Sequence, residues 1–366
     1  MKKYISIALM AAMIMCCLSA CGQKESDLQT EGSEDLIGQA VDESETESNK
    51  TSDNQIKVVT TIFPEYDWVR EIAGGEISHI DVTMLLDDGV DLHSYQPTAE
   101  DIMKISDCDL FIYVGGESDT WAEDALKEAA NKDMRVINLL EVLGNSVKTE
   151  EMVEGMQEQD EEEHGDEDHN DEEHGDNEHG EDGHEHEEEK DEHVWLSLRN
   201  AEILCETIAD ELAAIDPENA EIYEQNEKTY AEKLNELEQK FQETVNAAKQ
   251  QTLLFGDRFP FRYLVDDYGL SYYAAFVGCS AETEASFETI FFLAKKVDEL
   301  KLPCVLTIEG AQHKIAETIV QNTAEKNQKV LTMDSMQSTT SKDVANGTTY
   351  LSVMEKNLTV LAEALG

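Results

Sequence analysis

The sequence predicts an α/β protein of two pseudo-equivalent lobes, each a parallel-type sheet flanked by helices, joined by one long rigid helix. Three observations predict it. Strand-like apolar runs alternate with helical periods between residues 56 and 139, the alternation returns between 253 and 364, and one apolar stripe runs for about thirty residues between them without Gly or Pro. A chain of 366 residues with 40% hydrophobic composition is long enough to fill two ordinary domains.

In chain order, Lys2 and Lys3 precede an uncharged apolar run from Tyr4 to Leu18 and then Leu18-Ser19-Ala20-Cys21, which reads as an export signal. The small residues before Cys21 resemble a bacterial lipobox, so residues 1–20 are expected to be removed and Cys21 lipidated. The run is short for the alternative, a bare transmembrane anchor. Residues 21–55 are polar, acidic and nearly free of aromatics, a composition expected of a flexible stalk.

The first lobe is expected over residues 56–149. Ile56 to Ile62, Asp81 to Leu86, Leu110 to Val114 and Arg135 to Leu139 read as strands, separated by helical periods at Tyr66 to Ala73, Thr98 to Ser106 and Thr120 to Asn131. Strands separated by helices imply βαβ crossovers and hence a parallel sheet. A His-, Asp- and Glu-rich insert occupies 150–192, and residues 193–250 hold its end and the linking helix. That helix is expected to start at Asp216-Pro217 and to bury Tyr223, Tyr230, Leu234, Leu237, Phe241 and Val245, at a length of roughly 45 to 50 Å. The second lobe, 251–366, reads as strands at Leu253 to Phe255, Ser271 to Phe276, Cys304 to Ile308 and Val330 to Met333. Its helices fall near Phe287 to Leu300, Lys314 to Glu325 and Thr348 to Ala364.

The formal charge of -54 is unevenly spread: residues 150 to 192 hold 24 acids against the single Lys190. Such a chain cannot neutralise phosphates, which excludes nucleic acid as a partner and favours cations. Of seven cysteines, Cys16 and Cys17 leave with the signal and Cys21 carries lipid. Cys108, Cys205, Cys279 and Cys304 are widely spaced with no CxxC pair, so neither a zinc ribbon nor a dense disulfide framework is indicated; apolar flanks favour buried thiols over one long-range disulfide.

Ligands of open α/β sheets gather at the carboxyl ends of strands, and four polar positions qualify. His93 lies in Asp87-Asp88-Gly89-Val90-Asp91-Leu92-His93-Ser94-Tyr95-Gln96-Pro97, the turn after the second strand. His193 lies in Asp191-Glu192-His193-Val194-Trp195-Leu196, where the charge run gives way to apolar residues. Asp257 and Asp334 each follow a strand of the second lobe. Either aspartate alone reads as a helix cap or turn residue, and His93 alone as a surface or capping histidine. Together they form two nitrogen and two oxygen donors, a pair from each lobe, suited to zinc or manganese.

The stretch from Ile56 to Gly366 resembles the metal-specific solute-binding proteins of ABC importers, the zinc and manganese branch called cluster A-I. The resemblance is carried by Thr61-Ile62-Phe63-Pro64, Leu92 to Pro97, Phe111 to Gly116 with Trp121, His193-Val194-Trp195-Leu196, Asp267-Tyr268-Gly269-Leu270, Met333-Asp334, and the closing Tyr350-Leu351, Met354 and Asn357. It implies two α/β lobes joined by a long helix, one metal between them, no catalysis, and delivery of the ion to a permease and its ATPase by a monomer tethered outside the cytoplasmic membrane. It places ligands at His93, His193 and Asp334. At the third ligand the sequence departs from the family's His or Glu, reading Gly256-Asp257-Arg258; Asp257 is the choice, with Glu282, Glu284, Glu309 and Cys279 as substitutes. Structural roles, as caps or as partners of Arg258 and Arg262, are favoured for Glu284 and Glu309.

Ahead of His193 lie His164, His169, His174, His179, His184 and His186, where zinc-type members of that family carry a His-rich loop. Imidazoles among carboxylates can hold zinc loosely and raise its concentration beside a fixed site. They favour zinc over manganese, the alternative cargo, whereas an aspartate as third ligand pulls the other way. Two rival classes are an extracellular zinc enzyme and an adhesin or metal buffer without a transporter. Against the enzyme stand the lack of HExxH and of a residue set supplying a nucleophile or base, and four protein ligands would leave no position for a substrate water.

Overall fold

The computed structural model describes residues 55–75, 79–157, 189–280, 284–310 and 313–366. The leader, Cys21, the stalk, Glu282 and the six histidines from His164 to His186 lie outside the described residues.

The first lobe runs β1 (Ile56–Thr60), α1 (Phe63–Ala73), β2 (Ile80–Met84), α2 (Ala99–Asp107), β3 (Leu110–Tyr113), α3 (Thr120–Glu128), β4 (Arg135–Asn138) and α4 (Leu139–Leu143). Its four strands are parallel in the order β2-β1-β3-β4, with Val58 opposite Val82 on one side and Leu110 on the other. Two helices follow, α5 (Leu198–Ile215) and α6 (Ala220–Ala247). The second lobe runs β5 (Thr252–Phe259), α7 (Arg262–Tyr268), β6 (Ser271–Val277), α8 (Phe287–Leu300), β7 (Cys304–Thr307), α9 (Lys314–Asn322), β8 (Lys329–Thr332), α10 (Ser341–Ala345) and α11 (Tyr350–Leu365). Its sheet, β6-β5-β7-β8, is also parallel and repeats the strand order of the first, which is the pseudo-equivalence expected from the two alternating patterns.

The 28 residues of α6 span about 42 Å, and its buried positions are Tyr223, Tyr230, Leu234, Leu237, Phe241 and Val245, the stripe read from the sequence. Its start differs from expectation. Asp216 ends α5, and its carboxylate accepts from Asn219 Nδ2 at 2.8 Å and Tyr223 Oη at 2.7 Å across the turn, so Asn219 becomes the N-cap. The linking element is thus the packed pair α5 and α6. One cluster of buried residues runs from Val58 and Phe111 through Leu204, Tyr230 and Phe241 to Phe255 and Leu361 and spans both lobes, while a second, around Leu254, Phe276, Leu293 and Val305, lies within the second lobe. A core that spans both lobes opposes wide hinge motion between them.

β5 is longer than predicted. The sequence reads as a strand ending at Phe255 and followed by Asp257, yet the strand continues to Phe259 with a break in register between Phe255 and Arg258. Gly256 tolerates no side chain, because a Cβ there would sit 2.5 Å from the Ala316 Cα on α9.

Candidate metal centre

Both histidines are placed by short 3-10 turns at the carboxyl edge of the first sheet. Asp91 caps the turn Leu92–Ser94 and accepts from the His93 N–H at 3.0 Å. His193 itself precedes the turn Val194–Leu196, whose Trp195 is buried and donates from Nε1 to the Ser335 carbonyl of the second lobe at 2.9 Å. His193 is fully buried and packs 5.3 Å from the Trp195 ring. The two imidazoles meet edge to face with Nε2 atoms 3.1 Å apart.

The far nitrogens are both occupied. His193 Nδ1 lies 3.0 Å from Asp191 Oδ1, which also accepts from the His193 backbone N–H at 2.9 Å. His93 Nδ1 lies 2.8 Å from Ser118 Oγ and 3.4 Å from Glu192 Oε2. A carboxylate or hydroxyl on Nδ1 fixes the tautomer and turns Nε2 toward a metal, which is how histidine ligands are ordinarily oriented. Glu192 is in turn fixed by the Ser118 N–H at 2.9 Å and by Gly116, where a Cβ would fall 2.3 Å from Glu192 Oε1. Burial opposes ionisation of Glu192, yet hydrogen bonds from His93 and Ser118 hold its carboxyl below the usual range.

Among the described residues, one group of His, Cys, Asp or Glu brings donor atoms within 4.8 Å of one another: His93, His193 and Cys279. Four-coordinate zinc sets two imidazole nitrogens about 3.3 Å apart, so the 3.1 Å between the two Nε2 atoms fits such an ion, with the thiol within 4.8 Å of both histidines.

Asp257 and Asp334 lie outside this group. Asp257 accepts from Thr307 Oγ1 at 2.6 Å and the Ile308 N–H through Oδ2, and from the Arg258 N–H through Oδ1. The continuation of β5 turns it onto β7, and both oxygens serve the second lobe. Asp334 follows β8; its backbone is held in both directions by Asn357 and its Oδ1 accepts from the Met336 N–H at 2.8 Å, while Oδ2 takes no hydrogen bond from a described residue. Glu309 is structural, gathering the Ser335 N–H and hydroxyl and the Gln337 N–H, and Glu284 is exposed. Burial raises the carboxyls of Glu309 and Asp334 alike, with Asp334 adding to the effect on Glu309. The arginines expected to partner these glutamates do otherwise: Arg258 pairs with Asp91, and Arg262 with Asp266 and Glu151.

Further buried carboxyls lie nearby. Asp191 and Glu192 are each 2% exposed, and Glu65, in the first turn of α1, and Asp119, just before α3, are buried, with Glu65 Oε1 and Asp119 Oδ1 unpartnered among the described residues. Burial raises Glu65 well above its ordinary value and Asp119 to about 7. Sequence reasoning quoted Asp191 and Glu192 within a motif but assigned them no role, since one acid in a run of 24 carries no mark of its own; the mark is position two and one before a histidine that an aromatic anchors.

Two parallel α/β lobes on a shared core, with paired imidazoles fixed at the carboxyl edge of one sheet and a thiol brought to them from the other, define a two-lobed metal-binding protein. The chain belongs to the family described as zinc-uptake complex component A, periplasmic (ZnuA), which matches residues 58–364. It is 32% identical over 320 residues to the zinc-binding lipoprotein AdcA of Streptococcus pneumoniae, covering 86% of this chain and 57% of that one. It is also 28% identical over 364 residues to the high-affinity zinc uptake system protein ZnuA of Bacillus subtilis, covering 100% and 98%. The Zn(II)-bound ZnuA-like domain of Streptococcus pneumoniae AdcA superposes with a TM-score of 0.62 at 28% identity, over 85% of this chain and 99% of that one. The chain therefore spans little more than half of the AdcA relative and nearly all of the Bacillus protein.

Proposed function

We propose that the protein is an extracytoplasmic solute-binding lipoprotein that captures zinc between its lobes and delivers it to an ABC permease and its ATPase. The observation that carries this is the pair His93 and His193, with Nε2 atoms 3.1 Å apart and each Nδ1 already taken by an oxygen. Two neutral nitrogens so fixed favour zinc over manganese, which prefers oxygen donors. Family membership and the zinc named for the relatives support the same cargo. In this reading Asp334 supplies a carboxylate through its second oxygen, while Asp257, whose oxygens are turned onto Thr307, Ile308 and Arg258, is not used. Lipid on Cys21 tethers the protein, and His164, His169, His174, His179, His184 and His186 collect zinc near the fixed site. The work is capture and release, not catalysis.

A buried His193 means that the ion enters while the covering loops are parted. Asp91 to Arg258 and Asp87 to the Ser341 N–H and hydroxyl are the contacts that close the first lobe's loop against the second. The test is calorimetric titration of zinc and of manganese into the protein with and without residues 158–188. That deletion spares Glu150, Asp191 and the backbone bonds between residues 148–150 and 189–191. The tight zinc site is expected to survive it while weaker, additional binding is lost. Loss of the tight site on deletion, or tighter binding of manganese than zinc, would refute the proposal.

A further inference from the structure

Cys279 lies just beyond β6, in the second lobe, and two features bring it to the histidines. Gly278 packs directly on the His193 ring: a Cβ there would sit 3.0 Å from Cε1, 3.2 Å from Nδ1 and 2.9 Å from the Phe259 carbonyl oxygen. The missing side chain is what allows the second-lobe backbone to approach an imidazole held by the first. The Cys279 N–H donates to Glu150 Oε1 at 2.8 Å. Glu150 belongs to the short backbone ladder that also carries Asp191, with Glu150 N–H to Glu189 O and Asp191 N–H to Lys148 O, both at 2.9 Å. One ladder therefore positions the carboxylate behind His193 and the carboxylate that anchors Cys279. The other described thiols, Cys108, Cys205 and Cys304, are fully or nearly fully buried in the core, whereas Cys279 is partly exposed.

We propose that the Cys279 thiolate is a ligand of the captured ion, giving a two-imidazole, one-thiolate donor set in place of an all-nitrogen-and-oxygen one. This rests on the zinc-capture reading and specifies its chemistry. Binding breaks the S–H bond, forms a metal–sulfur bond and releases one proton to the solvent for each ion. A thiolate is a softer donor than carboxylate or imidazole, so the site is expected to take zinc and cadmium well and to discriminate against manganese more strongly than two histidines and carboxylates would. With Asp334 as the carboxylate, two anionic and two neutral donors would balance a divalent ion, which favours an ion held in a largely buried site.

The test is titration of cobalt(II), as a zinc surrogate, into the full chain and into Cys279→Ser and Cys279→Ala, followed by near-ultraviolet absorption. The wild type is expected to develop a thiolate-to-cobalt charge-transfer band that both variants lack. Zinc affinity, measured by chelator competition, should fall in both variants by more than the about 10–100-fold carried by outer-shell partners of a metal site. Cysteines elsewhere in the chain are common to all three proteins and cancel in the difference, and circular dichroism identifies a variant that fails to fold. As a second readout on the wild type alone, zinc should protect Cys279 from alkylation by iodoacetamide. Cobalt bound tightly without the band, with Cys279 alkylated at an undiminished rate under saturating zinc, would overturn thiolate ligation and leave the capture reading standing. Failure of the wild type to bind zinc or cobalt tightly would overturn both.

Discussion

Asp191→Ala is the sharpest probe of how the histidines are held. The Asp191 carboxylate is 2% exposed and its Oδ1 accepts from both the N–H and Nδ1 of His193. Its backbone is secured independently, because its N–H donates to Lys148 O and its carbonyl accepts from Tyr263 Oη at 2.8 Å. Truncation should therefore leave the chain in place and orphan two buried donors, costing about 1–3 kcal/mol of stability for each that finds no water. The ring, no longer held with its proton on Nδ1, can carry it on Nε2, which then cannot coordinate. Outer-shell carboxylates of this kind are worth about 10–100-fold in metal affinity, or roughly 1.4–2.7 kcal/mol. Chelator competition on the purified variant measures the affinity and thermal unfolding of the metal-free form measures the stability. Asp191→Asn, which keeps an acceptor but not the charge, should fall between. A zinc affinity within threefold of wild type for Asp191→Ala would refute the claim that this carboxylate orients His193.

Two further outcomes are expected. Asp119 stands at about 7 in the fold, raised by burial and by the Glu192 charge, against 3.8 when free. The folded state thus binds more protons, so the stability this group contributes is complete below about pH 4 and lost as pH rises through 7. Asp119→Asn keeps an acceptor for the Gly115 N–H and should gain up to about 4 kcal/mol at pH 8, with little change at pH 4. Urea unfolding at both pH values checks this; equal effects at the two would count against it. Arg258→Gln removes the partner of Asp91 across the cleft, and zinc should leave up to about fivefold faster, the worth of roughly 1 kcal/mol for a partly exposed pair. Stopped-flow release to a chelator would show an unchanged rate if the pair does not help to close the cleft.

Much of the fold was legible because its periods are local. Strand and helix runs in each lobe show directly in the hydrophobic pattern, and the α6 stripe is complete in the sequence. Four helices escaped notice, among them the five-residue α4 and α10. α5 buries Leu204, Cys205, Ile208 and Leu212 at helical spacing but begins only two residues after Leu196, so that it reads as the tail of the charged insert. α7 has seven residues, too few for a period to declare itself.

The site was legible where a residue's neighbours in the chain fix it and illegible where tertiary contacts do. His93 and His193 are held by turns built from Asp91 and Asp191, each two residues before its histidine. Asp257 carried the same kind of signal, an acid beside a glycine after an apolar run; there Gly256 serves the close packing of α9, the strand goes on, and Asp257 falls outside the His93, His193 and Cys279 group. At Cys279 the sequence offered a cysteine among small residues, which reads equally as a buried thiol. What distinguishes it is Gly278, whose need for no side chain is set by a histidine 85 positions earlier in the chain. A sheet edge in one lobe and a turn in the other were fitted to each other at that contact. If the proposed ligation holds, ligand identity at the third position depends on the second lobe's approach, set at the Gly278 contact with His193.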